Sequence, residues 1–312
     1  MQKPTLRTWL LLLGLTAFTA SAPILASDTR PNDGSKPPSQ WTPYVRGGYV
    51  HQFDTDLDNG GSFDVDRFFI QGGLSYSMGP QRRISLAISG GRDQYDFSGD
   101  FGLTAEPWDR VDRFGISTPV TWALDQQWTL FAIPTVRFYG ESGASSSDSV
   151  TGGALAGFSY RISDNLTIGP GIGVLSQLED STSVFPILIV DWKITDRLSL
   201  STGQGLGATQ GPGLNLNYRF SDTWSFGLGG RYESLRFRLD DQGVAPDGVG
   251  EDRSIPIYLS ATFNRGRDLQ ISVIGGAELN GELRIDDDNG RSIAKEDYET
   301  APFLGATLNI RF

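Results

Sequence analysis

The chain has 312 residues, 38% of them hydrophobic, with 39 glycines, 16 prolines, no cysteine and a formal net charge of −11. Acidity of that size argues against a nucleic-acid partner and against simple adhesion to an anionic bilayer surface. The lack of cysteine excludes disulfides and a cysteine-linked lipid anchor.

The first element is a secretory signal. Lys3 and Arg7 form a short positive region, Leu10 to Ala20 is apolar, and small residues follow through Ala22 and Ala26. This layout predicts a signal peptide over 1–26, too short and wrongly flanked for a retained membrane helix. Its removal takes two positive charges away and leaves −13. Residues 27–40 are polar, contain three prolines and show no period, which predicts a flexible periplasmic lead-in.

From Trp41 the chain alternates apolar and polar residues in runs of about 9–11, the length of a tilted membrane strand. The longest later apolar run, Phe185 to Val190, is too short for a membrane helix. Strands are expected at 43–53, 67–77, 84–95, 112–123, 128–139, 151–162, 166–177, 182–193, 198–206, 212–220, 224–237, 253–264, 269–280 and 299–312. That is about 14, with 12 as the alternative. Short turns rich in Asp, Asn, Ser and Gly alternate with longer acidic connections such as Asp54–Asp66 and Gly281–Tyr298. This is the layout of an all-β, antiparallel, up-and-down transmembrane barrel over 41–312, with tight inner turns and long outer loops. Pro119, Pro134, Pro170, Pro186 and Pro256 fall inside these strands, where each removes a ladder donor or marks a bulge.

Aromatic placement separates a membrane barrel from a soluble sandwich. Tyr76, Trp122, Trp128, Tyr160, Trp192, Phe220, Trp224, Phe263 and Phe312 all lie next to a short turn or the C-terminus. They would form one girdle at the headgroup boundary. Phe53, Tyr95, Tyr139, Phe185, Tyr232 and Phe303 sit toward the long loops and would form the second.

Three sets of residues bear on chemistry. Arg46, Arg67, Arg113, Arg137, Arg161, Arg219, Arg231 and Arg311 fall on inward faces, accompanied chiefly by Asp191, Glu233 and Glu278. They form either a basic pore wall that favours anionic or polar solutes, or a salt-bridged filling of the lumen. Asp54, Asp56 and Asp58, with Asp286, Asp287 and Asp288, are acidic loop clusters. They are weak candidates for calcium, because the spacing of a calcium loop is incomplete, and a solvated acidic loop is the better account of them. His51 is the single histidine and has no partner motif of a hydrolase. No phosphate loop, zinc motif or dinucleotide fingerprint occurs.

The last strand closes the argument. Leu304, Ala306, Leu308, Ile310 and Phe312 share one face and Gly305, Thr307, Asn309 and Arg311 the other. In this strand the chain resembles bacterial outer-membrane β-barrel proteins, whose closing strand ends in an aromatic residue read by the barrel-insertion machinery. The resemblance implies an outer-membrane location and contact with outer-membrane lipids and lipopolysaccharide, and the lack of a catalytic motif leaves no enzymatic role expected. A passive channel for small polar or anionic solutes is the first functional expectation. A non-conducting structural or surface-interaction barrel is the second, and an outer-membrane hydrolase a distant third. Solute and oligomeric state are not legible.

Overall fold

The computed structural model describes residues 40–79, 82–99, 107–179, 181–202, 213–243, 245–266 and 268–312. The expected signal peptide and all of the expected lead-in except Gln40 lie outside the described residues. Among the described residues seventeen strands form one sheet. They are β1 (Gln40–Asp56), β2 (Ser62–Ser77), β3 (Arg82–Ser98), β4 (Arg110–Ser117), β5 (Val120–Ala123), β6 (Trp128–Glu141), β7 (Val150–Ser163), β8 (Leu166–Ser176) and β9 (Thr182–Lys193). β10 (Leu198–Thr202), β11 (Gly213–Arg219), β12 (Trp224–Arg231), β13 (Glu233–Arg238), β14 (Val249–Arg265), β15 (Leu269–Asp286), β16 (Ser292–Tyr298) and β17 (Ala301–Arg311) follow. Three pairs, β4/β5, β12/β13 and β16/β17, are single staves with a break, so the wall is a closed antiparallel barrel of 14 staves. β1 closes it against β17 from Tyr44↔Arg311 to Gln52↔Phe303.

The breaks account for several of the prolines. β4 gives way to β5 at Thr118–Pro119, where the Thr118 N–H donates to the Pro134 carbonyl. β12 pairs β14 up to Gly230↔Ile257 and β13 resumes at Glu233↔Ser254. Arg231 and Tyr232 therefore face Pro256, which has no N–H to give them. Pro302 follows the third break. A missing donor lets a stave bend without leaving a buried N–H unpaired.

The outward faces are apolar in a band. Leu86, Ile88, Phe114, Val136, Leu188, Leu228, Leu259, Val273 and Leu304 are all exposed, and Leu259 is 66% exposed. Alternation leaves these side chains no core to enter, so lipid is their solvent. Trp41, Trp122, Trp128, Trp192 and Trp224 bound the band at the inner-turn end. Trp41 lies 4.6 Å from Tyr76, Trp128 4.7 Å from Tyr160 and Trp224 5.4 Å from Phe263, ring centre to ring centre. At the other end the first polar outward groups are Asp66, the Arg92–Asp112 pair and the Arg253–Glu282–Lys295 cluster.

The expected second girdle is corrected in part. Phe53 is exposed, but Tyr95, Tyr139, Phe185 and Phe303 are buried inside the barrel. Thr182–Lys193 is apolar on both faces, so its parity could not be read from composition. The outer loops are also shorter than expected. Residues 62–66, 281–286 and 292–298 are strand, and the tall staves rise well above the lipid band.

Above the band a second, smaller ring closes. β13, β14, β15, β16, β1, β2, β3, β4 and β6 are neighbours in that order. Leu57 bridges to Tyr298 on one side, and Arg238 of β13 pairs with Gly140 of β6 on the other. The β13–β6 pairing is parallel. It has to be, because nine consecutive up-and-down staves begin and end in the same direction. β7 to β11 take no part in this upper ring among the described residues.

Candidate functional site: the lumen and its outer cap

The upper ring is filled. Phe63, Tyr95, Phe97, Trp108, Phe237, Leu283, Ile285 and Tyr298 belong to one buried cluster. Trp108 packs edge-on against Tyr95, Phe97 and Phe237, at 5.7, 5.9 and 5.1 Å between ring centres. Small barrels have interiors that side chains can fill, and this cap follows that rule. β13 crosses to β6 because charged groups tie it down on its open side. Arg236 pairs with Glu179 at 2.6 Å and Asp286 at 3.2 Å, and Arg238 donates to the carbonyls of Asp148, Asp247 and Leu178.

Beneath that apolar core lies a charged layer. Arg67 donates to Gln52, Glu278 and Asp252, each at 3.0 Å. Arg113 donates to Asp93 at 2.7 Å. The Tyr95 hydroxyl donates to Asp252 at 2.9 Å, and that of Tyr298 lies 3.1 Å from both Asp252 and Glu278. Burial, reinforced by Asp252, holds both hydroxyls well above the ordinary tyrosine value, so they remain neutral donors. Glu233 stands on β13, level with the outward Arg253–Glu282 pair and outside the membrane-spanning segments. Burial, with Glu278 nearby, pushes its carboxyl up to about 8. A pocket opens here between Arg67, Asp93, Arg113, Glu233, Asp252 and Ser254.

The predicted arginines divide into two groups. Arg46, Arg67, Arg113, Arg137 and Arg231 point inward within the wall. Arg46 bonds Gln71, Arg137 lies 5.5 Å over the Tyr139 ring, and Arg231 reaches the Tyr258 hydroxyl at 3.3 Å. Arg161, Arg219 and Arg311 sit beside inner turns, where their backbone N–H groups bond the carbonyls of Gln127, Arg197 and Asp268. Of the acids expected inside, Glu233 and Glu278 join the charged layer. Asp93 and Asp252 were missed. Asp93 shares its inward parity with Tyr95, a signal the sequence does carry, whereas Asp252 was assigned to a loop.

Lower in the lumen the wall is not uniformly polar. Phe131, Ile133, Leu155, Leu175 and Phe185 form an inward apolar cluster on β6 to β9, with Ile187 and Ile189 against it. Its rings pack against glycines. A Cβ at Gly157 or Gly171 would meet the Phe131 ring at 2.7 or 2.9 Å, and one at Gly173 would meet the Phe185 ring at 2.0 Å. A second cluster, Val50, Phe69, Tyr258, Ile274 and Phe303, lines the opposite wall.

The acidic candidates for calcium are not brought together. Asp54 and Asp56 lie in β1, while Asp286 ends β15 and is held by Arg236 and Arg284. Asp287 caps the turn that carries Asp288, accepting from the Asn289 and Arg291 N–H groups. Among the described residues no cluster of three or more such groups could ligate a metal. His51 faces outward and meets Asp66 at 2.8 Å, and among the described residues no serine hydroxyl bonds to it.

A family model described as a domain of unknown function (DUF6268) matches residues 114–311. No curated protein matches the chain. Among solved structures, the COG4313 outer membrane channel from Pseudomonas putida F1 is 8% identical with a TM-score of 0.50, over 91% of this chain and 100% of that one. A Pseudomonas aeruginosa FadL homologue is 12% identical with a TM-score of 0.43, over 88% and 89%. The toluene transporter TodX of P. putida is 9% identical with a TM-score of 0.43, over 88% and 90%. The first of these shares the fold.

Proposed function

The chain belongs to the DUF6268 family and is a bacterial outer-membrane β-barrel, and from that premise we propose that it is a passive channel for small anionic or polar solutes. One observation carries the reading. Five arginines, Arg46, Arg67, Arg113, Arg137 and Arg231, project into the lumen of a 14-stave ring. A ring of that size lies between side-chain-filled eight-stranded barrels and open porins, so a narrow passage fits it. Fixed positive charge along such a passage raises the local concentration of anions. The cap covers the staves from β13 round to β6, so the proposed passage would run on the side of β7–β11.

Planar-bilayer recording under a potassium chloride gradient tests this. A reversal potential of the anion-selective sign is expected, and no current from correctly folded protein would sink the idea. The packed cap and the carboxylates that neutralise Arg67 and Arg113 favour the second reading, a non-conducting barrel. The same recording separates the two. Outer-membrane lipids surround the apolar band. Lipopolysaccharide at the outer leaflet, and the insertion machinery during biogenesis, belong to the same proposal.

A further inference from the structure

Granting that the barrel conducts, we propose that its lumen carries a track for monocarboxylates with an apolar body. The body would lie on the Phe131–Phe185 stripe and the carboxylate at Arg137, Arg113 and Ser117. Lumen faces of open barrels are polar. Here the inward faces of β6 to β9 are apolar over consecutive positions. Phe131 packs against Gly157 and Gly171, and Phe185 against Gly173, so closely that a Cβ at any of the three would meet the ring, which keeps both rings against the wall. Water against such a wall is unfavourable, and an apolar solute that displaces it is favoured.

Register sets what stands at the outer end of the stripe. Ile133 faces Leu155, Thr135 faces Gly153, which faces Leu175, and Arg137 faces Thr151. On the other side Arg137 faces Gly115, which has no side chain, so Arg137 stands in register between Arg113 and Ser117 of β4, with its guanidinium over the Tyr139 ring. Ser117 Oγ and Arg113 Nε are buried, and neither has a hydrogen-bond partner. Both are donors, and a carboxylate supplies acceptors only. From Phe131 to Thr135 the stripe rises about 13 Å at roughly 3.3 Å per residue, room for one ring and a short chain.

The test uses the full chain refolded in planar bilayers, with 4-phenylbutyrate as probe. Butyrate lacks the apolar body and 4-phenylbutanol lacks the charge. Phenylbutyrate should block chloride current at a concentration at least about ten-fold below butyrate, and phenylbutanol should not block. Leu155→Ser and Ser117→Ala should each weaken the block several-fold, while the lipid-facing Leu188→Val leaves it unchanged. Equal block by butyrate would mean a general anion site, and equal block by phenylbutanol an apolar one. Either result overturns the proposal, as does chloride current that phenylbutyrate never blocks. Absence of any chloride current refutes the channel reading instead. Equilibrium dialysis of phenylbutyrate against the protein in micelles then decides the site by itself, and no saturable binding would dismiss it.

Discussion

Gly250 offers the sharpest check on the outer cap. It lies on β14 beneath Phe237, which is fully buried. A Cβ built on Gly250 would sit 2.6 Å from two carbons of the Phe237 ring, with Leu239 next at 3.2 Å. Ordinary contact begins near 3.4 Å, so the ring must retreat by about 0.8 Å into a core already filled by Trp108. Overpacking of this kind costs about 1–3 kcal/mol. Gly72 faces lipid, and a Cβ there meets nothing within 4 Å. Gly72→Ala therefore removes only the entropic penalty of glycine in a strand and should stabilise by about 0.5–1 kcal/mol. The two alanine variants should move in opposite directions in urea titrations of the barrel refolded in detergent. Phe237→Leu in the Gly250→Ala background should recover part of the loss, with a coupling of about 0.5–3 kcal/mol. Because only side chains crowd the built Cβ, no backbone clash hides the recovery. Equal shifts for the two glycines, or strict additivity of the double variant, would refute the packed cap.

Replacing Arg67 by Met leaves Asp252 and Glu278 buried without their cation, and the urea midpoint should report a loss of about 3–5 kcal/mol; a loss below about 1 kcal/mol would mean that the layer is hydrated. Leu259→Arg puts a charge into the lipid band and should cost about 2–4 kcal/mol in refolding titrations, whereas the same change at the inward Ser260 should cost much less. Glu233 has a folded value of about 8, against an ordinary 4.5. Its neutral form is favoured in the folded protein, so stability is greatest at low pH and falls as pH rises between these values, at up to about 1.4 kcal/mol per pH unit. Glu233→Gln should flatten that slope between pH 6 and 8, and an unchanged slope would assign it to another group.

The lower barrel was legible because each of its faces has its own solvent. Leu304, Leu308 and Phe312 against Thr307, Asn309 and Arg311 fix parity without any tertiary knowledge. The cap was not legible. Residues such as Asp252, Glu282 and Asp297 read as solvated loop, because nothing local says that Arg67, Arg253 and Lys295 will meet them. The inward apolar stripe escaped for a related reason. Val184 and Phe185 are equally apolar, and only the register with Gly173 shows which of them faces the lumen. The prolines were visible, but their use was not, since a break in one stave is set by the residue opposite it in the next.

The two rings differ in how they are fastened. The wall is sealed by a ladder running from Tyr44↔Arg311 to Gln52↔Phe303, whereas the upper ring is closed by single backbone pairs, Leu57↔Tyr298 on one side and Arg238↔Gly140 on the other, with their flanking side chains. Heat or pulling force applied from the outer side would therefore undo these closures long before the seam. The molecule would lose its roof in a first event and its wall in a second. Opening of the cap and opening of the wall are therefore separate events, set by separate sets of pairs.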